Sequence, residues 1–213
     1  MEEKLSVTQA WHLVQVDKAK IVDLRGPSDF ARGHARGALN LPYSAKGLEE
    51  RLGLLLKSAV DVILFAETTE QAEGALVQLR GGSFPVAGVI EASMQDWHDN
   101  ALPVDVLVEV SLAQLSAAIV EGKIVVLDVR EPIEWETGHV PDAILISLGT
   151  LKDRLHELPL EAGITVICEA GVRSSAAASL LQAEGFIGVA NVPEGTGGYR
   201  NAGLPLQISE NPN

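Results

Sequence analysis

At 213 residues with 46% apolar side chains, the chain is long enough for one large domain or two small ones with real cores. A formal net charge of −13 argues against nucleic acid and against anionic membranes as partners, because both select a basic face. No apolar run approaches the roughly 20 residues of a membrane span. The start Met1-Glu2-Glu3-Lys4-Leu5 lacks a signal-peptide pattern and the single cysteine excludes an internal disulfide, so a cytoplasmic location is expected.

Along the chain, the first landmark is Asp23-Leu24-Arg25-Gly26-Pro27-Ser28-Asp29-Phe30-Ala31-Arg32-Gly33-His34, followed by Ala38-Leu39-Asn40-Leu41-Pro42. An apolar run, Val62-Ile63-Leu64, reads as a strand entering the loop Phe65-Ala66-Glu67-Thr68-Thr69. Ala101-Leu102-Pro103 ends this stretch. Then the pattern recurs. Asp128-Val129-Arg130-Glu131-Pro132-Ile133-Glu134-Trp135-Glu136-Thr137-Gly138-His139 repeats the first block, and Gly203-Leu204-Pro205 repeats its end. A period of about a hundred residues is a domain rather than a solenoid unit. The expected division is 1–104 and 105–213.

In the second copy, residues 112–119, 151–156 and 174–184 carry helical patterns, and 124–127, 143–146, 165–168 and 189–192 read as strands. Near-continuous apolar strands alternating with helices predict an α/β fold, a mainly parallel sheet flanked by helices in each copy. Sites in such sheets lie beyond the carboxyl ends of strands. Cys168 stands at one of these ends, in Cys168-Glu169-Ala170-Gly171-Val172-Arg173-Ser174. A loop that opens a helix directs peptide N–H groups at one point and favours negative charge there. A thiolate in that cradle becomes a usable nucleophile. The amides of Ala170, Gly171, Val172, Arg173 and Ser174 are the expected donors. Gly171 suits a backbone angle that a Cβ opposes, and Ser174 suits a helix N-cap. The five histidines lack ligand spacing, so no metal and no cofactor is expected.

The duplicated Asp-x-Arg block, the Cys-x-x-Gly-x-Arg-Ser loop and the closing Gly197-Gly198-Tyr199-Arg200 segment together resemble the rhodanese family of sulfurtransferases, over essentially the whole chain. The resemblance implies two rhodanese-like domains. It also implies that Cys168 takes a sulfane sulfur from a donor such as thiosulfate, holds it as a persulfide, and passes it to cyanide or a thiol. A protein acceptor is a further possible partner. Cys168 and Arg173 are then the catalytic candidates, and Glu169, Ala170, Gly171, Val172, Ser174 and Arg200 line the pocket. In the first copy Leu64 aligns with Cys168, which implies an inactive domain.

Asp128, Arg130, Glu134 and His139 are expected to be framework, because Asp23 and Arg25 recur in the copy that lacks a nucleophile. Arg173 is expected either to meet an anionic donor or to brace the loop through a salt bridge. Glu169 places a carboxylate in the proposed anion cradle and, if turned inward, opposes a dianionic donor. Persulfide donors then compete with thiosulfate as substrates. Two other functions are weighed: a non-turnover persulfide carrier or signalling module, and a phosphatase or arsenate reductase. The loop disfavours the latter, since four residues separate Cys168 from Arg173 where the related cysteine phosphatases carry a longer span.

Overall fold

The computed structural model describes residues 4–57, 59–160 and 162–208. The chain divides into two compact units, residues 1–106 and 107–213.

In the first unit, α1 (Val7–Gln15) starts at a reciprocal cap between Ser6 and Gln9. It leads into β1 (Lys20–Asp23), α2 (Pro27–Arg32), and the two-residue strands β2 (His34–Ala35) and β3 (Leu39–Asn40). Next come α3 (Leu48–Leu55), β4 (Val62–Phe65), α4 (Thr69–Leu79), β5 (Val86–Ile90) and α5 (Met94–Asp99). The main sheet has the order β3-β1-β4-β5, every pairing parallel. The strands are aliphatic because helices shield both faces. Val62, Ile63, Leu64 and Phe65 are all at most 1% exposed. β6 (Val104–Asp105) pairs antiparallel with β2, so Asp105 stays with the first unit, just past the expected seam at 104.

The second unit repeats this plan. β7 (Val108–Glu109) precedes α6 (Leu112–Val120), whose reciprocal cap between Ser111 and Gln114 reproduces that of α1. Then follow β8 (Val125–Asp128), α7 (Pro132–Trp135), β9 (Ile144–Leu145) and α8 (Leu148–Arg154). β10 (Ile164–Ile167), α9 (Val172–Ala183), β11 (Val189–Asn191) and α10 (Gly195–Asn201) complete it. The parallel sheet runs β7-β11-β10-β8-β9. The expected strands and helices are present with ends shifted by a few residues. β7 carries no strand signal in the sequence, being two exposed residues on the sheet edge.

The chain leaves β8 toward one edge and returns at β10 on the other side of it. Where the winding reverses, the loops after β8 and β10 part and leave a crevice at the carboxyl ends of the strands. Arg130 follows β8 and Cys168 follows β10, so both stand at this end of the sheet. α9 lies against β10 and β11 and is buried continuously from Ser174 to Leu181. Its run of Ser and Ala lets it approach the sheet closely, which seats its N-terminus directly behind Cys168.

Candidate active site

Cys168 is the first residue after β10, and it is 1% exposed. Its Sγ lies 3.3 Å from the Ser174 Oγ. The peptide N–H groups of residues 170–174 meet no acceptor among the described residues, as expected for the first turn of a helix. Gly171 sets the turn with φ +80°, and a Cβ there would sit 2.3 Å from the Pro193 carbonyl oxygen. Both the dihedral and the space demand glycine. The Gly171 carbonyl accepts from Ser175 N at 3.1 Å and from Asn191 Nδ2 at 3.4 Å.

Gly171, not Ser174, is therefore the N-cap residue of α9. The helix begins earlier than the sequence suggests, because a left-handed glycine can enter it directly. Ser174 lies inside the first turn, fully buried, with its hydroxyl facing the sulfur. Val172 opens the helix and remains half-exposed.

Arg173 forms a fork-on-fork pair with Glu134, Nη1 and Nη2 each 2.6 Å from a carboxylate oxygen. The Arg173 hydrogen bonds hold the Glu134 carboxyl down at about 2, against the cost of its partial burial. Glu134 in turn raises the Arg173 guanidinium above its ordinary range, helped by the charge of the nearby Cys168. Glu134 was expected among the framework residues, and it braces the loop directly. It also donates structure at its own end, accepting the Glu131 N–H at 3.0 Å.

Arg130 and Asp128 are both fully buried and paired. Asp128 accepts from Arg130 Nε and Nη2, and the guanidinium also donates to the Gly138 carbonyl at 3.0 Å. Burial of this charge is tolerable because nearly every donor has a partner. His139 is buried and stacked on Trp135 with ring centroids 3.5 Å apart, and desolvation lowers its pKa.

Glu169 does not point into the cradle. Its carboxylate accepts from Arg200 Nη1 at 3.3 Å and Nη2 at 3.4 Å, and lies 3.7 Å from Arg130 Nη1. Two cations hold the carboxylate beside Arg200 rather than inside the cradle, so its opposition to an anionic donor acts at the mouth of the site. Tyr199, also in the closing segment, packs into the core with Leu115, Val126, Val140, Ile167 and Val192.

Gly195 and Thr196 were not singled out from the sequence, yet they touch the loop most closely. Thr196 N donates to the Cys168 carbonyl at 2.7 Å, and Gly197 N to the Glu169 carbonyl at 3.0 Å. A Cβ on Gly195, whose φ is +62°, would lie 2.3 Å from the Glu169 carbonyl oxygen. The run Gly195-Thr196-Gly197-Gly198 was the available signal: helices rarely hold so many glycines unless another backbone must come close.

The first unit reproduces the frame without the reactive loop. Arg25 pairs with Asp23 and donates to the Gly33 carbonyl, and His34 stacks on Phe30 at 3.7 Å. Strand register revises the expected alignment at the nucleophile. Asp23 pairs with Phe65 just as Asp128 pairs with Ile167. Ala66, not Leu64, thus occupies the position of Cys168. The offset of two residues arose because uniformly aliphatic strands carry no mark of register. In place of the crevice, a cavity of about 460 Å³ is walled by Arg25, Phe65, Glu67, Ser93 and Asp96 among others. Among the described residues no group of His, Cys, Asp and Glu could hold a metal ion, and no helix is long and apolar enough to cross a membrane.

A family model, "Rhodanese-like domain", matches residues 6–100 and again 111–202. A protein named as a sulfurtransferase from Allochromatium vinosum is 29% identical over 103 residues, which is 48% of this chain and 96% of that one. "Thiosulfate sulfurtransferase GlpE" of Pseudomonas syringae pv. syringae is 33% identical over 78 residues, 37% of this chain and 74% of the relative. "Putative sulfur carrier protein YrkF" of Bacillus subtilis is 41% identical over 70 residues, 33% of this chain and 38% of that protein. Among solved structures, a Thermoplasma volcanium rhodanese-related protein shares 29% identity, with a TM-score of 0.46 over 48% of this chain and 99% of the other. The Pseudomonas aeruginosa thiosulfate sulfurtransferase aligns with 95% of this chain and 43% of its own, at 21% identity and a TM-score of 0.45. With its Asp-x-Arg frame built twice and both halves matched, the chain belongs to the rhodanese family and carries two rhodanese-like domains in tandem.

Proposed function

We propose that the protein is a sulfurtransferase whose second unit carries a sulfane sulfur as a persulfide on Cys168. The observation that carries this reading is a lone thiol at the carboxyl end of β10, set against the unpaired peptide hydrogens of the first turn of α9. These donors stabilise the thiolate before the reaction and the persulfide anion after it, without reorganising. Arg173, locked by Glu134, adds positive charge beside the sulfur.

With thiosulfate, the Cys168 thiolate attacks the outer sulfur. An S–S bond forms on Cys168, the S–S bond of the donor breaks, and sulfite leaves with the electron pair. Cyanide then attacks the terminal sulfur of the persulfide, thiocyanate departs, and the thiolate returns. No oxidant or cofactor enters either step. A thiol acceptor completes the cycle in the same manner. The supporting relatives include a protein named as a thiosulfate sulfurtransferase. A nucleophilic thiol of this kind suits a reducing compartment such as the cytoplasm.

The acidic composition, with a net charge of −13, and the carboxylate of Glu169 directly after the nucleophile favour a second reading, a carrier that hands its sulfur to a partner protein's thiol. Intact mass spectrometry separates the readings. Incubation with a sulfane donor is expected to add one sulfur atom to the wild type and none to Cys168→Ser. Catalytic thiocyanate release on adding cyanide supports turnover, whereas a stable persulfide discharged only by protein thiols supports the carrier. No added sulfur from any donor overturns both.

A further inference from the structure

Building on sulfur transfer through Cys168, we propose that Glu169 and Arg200 form a latch that selects the donor: they favour alkyl persulfides over small oxyanions such as thiosulfate. Glu169 directly follows the nucleophile, and its carboxylate covers the Arg200 guanidinium. Arg200 sits on α10, the helix that closes the loop. An oxyanion donor arriving at Cys168 seeks a cation, and the guanidinium that the residue after the nucleophile reaches is already occupied by that carboxylate.

The seat is built for that carboxylate. A Cβ on Gly197 would lie 2.9 Å from Glu169 Oε1 and 3.0 Å from the Glu169 carbonyl oxygen, so the bare helix face there leaves the side chain its path. Arg200 stands one helical turn further on, where the side chain ends. Arg130 Nη1 lies 3.7 Å from the opposite carboxylate oxygen and draws it in the same direction. The first unit lacks the arrangement. Counting back from the shared Leu-Pro end, Gln95 and His98 stand in place of Gly197 and Arg200, although Glu67 keeps the acid after Ala66.

The two ion pairs of the loop differ in kind. Arg173–Glu134 is short and forked at 2.6 Å, whereas Arg200–Glu169 is at 3.3 to 3.4 Å with both side chains about two-fifths exposed. A loose, hydrated pair opens readily and is screened by salt. It therefore works as a competitor for Arg200 rather than as a brace. Thiosulfate, a dianion, must displace Glu169 and endure its charge. An alkyl persulfide has no oxyanion head. Attack of the Cys168 thiolate on its terminal sulfur forms the Cys168 persulfide, breaks the donor's S–S bond and releases an alkyl thiolate. That leaving group needs no Arg200.

The test measures sulfur loading of Cys168 by intact mass, with thiosulfate and with cysteamine persulfide as paired donors. Glu169→Gln is expected to raise the thiosulfate-to-persulfide efficiency ratio about tenfold, the scale of one charge contact in a solvated mouth. The gain is expected to vanish in Glu169→Gln/Arg200→Gln, because the freed cation is what the oxyanion uses. Added salt should raise the wild-type ratio and leave that of Glu169→Gln flat or falling. An unchanged ratio in Glu169→Gln, or an equal gain without Arg200, overturns the latch while loading persists. Absence of loading from both donors overturns the sulfurtransferase reading itself, and the latch with it.

Discussion

The two units share a frame and differ in what the frame holds. Both bury an Asp–Arg pair after a central strand, and both stack a histidine on an aromatic ring four residues earlier. The second adds a thiol, a left-handed glycine and a loop arginine, where the first has Ala66, a loop without glycine and Gln71. The acids diverge accordingly. Glu134 crosses to Arg173 on another element, while its counterpart Asp29 turns to Arg32 within the same short helix. The Asp–Arg frame therefore maintains the fold regardless of chemistry. The Glu134–Arg173 clasp accompanies the nucleophile.

The largest expected effect tests where chemistry resides. Cys168→Ser should abolish sulfur loading, and Ala66→Cys in that background should not restore it, because the first unit lacks the glycine turn and the arginine. Loading at position 66 would show that the frame alone suffices. Next is Gly171→Ala, which forces a side chain into a left-handed angle and onto the Pro193 carbonyl. A loss of about 3 kcal/mol in chemical denaturation of the second unit is expected. An unchanged transition would mean that the loop adapts freely.

Glu134→Gln should cost about 1–2 kcal/mol near pH 7, discounted because the pair is partly solvated. Since the folded carboxyl titrates near 2, below its ordinary value of 4.5, this stability is present above pH 4.5 and lost as pH falls through 2. Wild type and variant should therefore converge in acid. Asp29→Asn, cutting an exposed local pair, should produce no measurable change, and an equal cost at both sites would erase the distinction between clasp and surface contact.

The smallest effect should be common to both units. Burial lowers the pKa of His34 and of His139, so each contributes stability above the ordinary value of 6.5 that is lost as pH falls below it. His34→Gln and His139→Gln should each flatten the decline of stability as pH falls below 6.5. Flattening by only one would show that the two frames are not electrostatically equivalent.

Much of this was legible because chemistry restricts residue choice. A nucleophilic thiol must be cysteine, its tight turn must be glycine, and a buried charge must bring its partner, so Cys168, Gly171 and the Asp–Arg blocks are visible as letters. Strand register was not, since Val62 to Phe65 look alike at every offset. Nor were the ion pairs around the loop: Glu134 and Arg173 lie 39 residues apart, Glu169 and Arg200 31. Only the topology of the sheet brings them together. Ser174 misled because serine commonly caps helices, whereas here a glycine enters the helix first and leaves the hydroxyl beside the sulfur.

The hydrogen bonds from Thr196 and Gly197 have a consequence beyond joining two segments. A peptide group is rigid and planar, with its carbonyl and its N–H on opposite edges. Pinning the carbonyls of Cys168 and Glu169 toward α10 therefore fixes the direction in which the N–H groups of Glu169 and Ala170 can face. The terminal helix acts as a jig: it aims dipoles it never touches, and lengthening its approach by even one residue would rotate them off their mark.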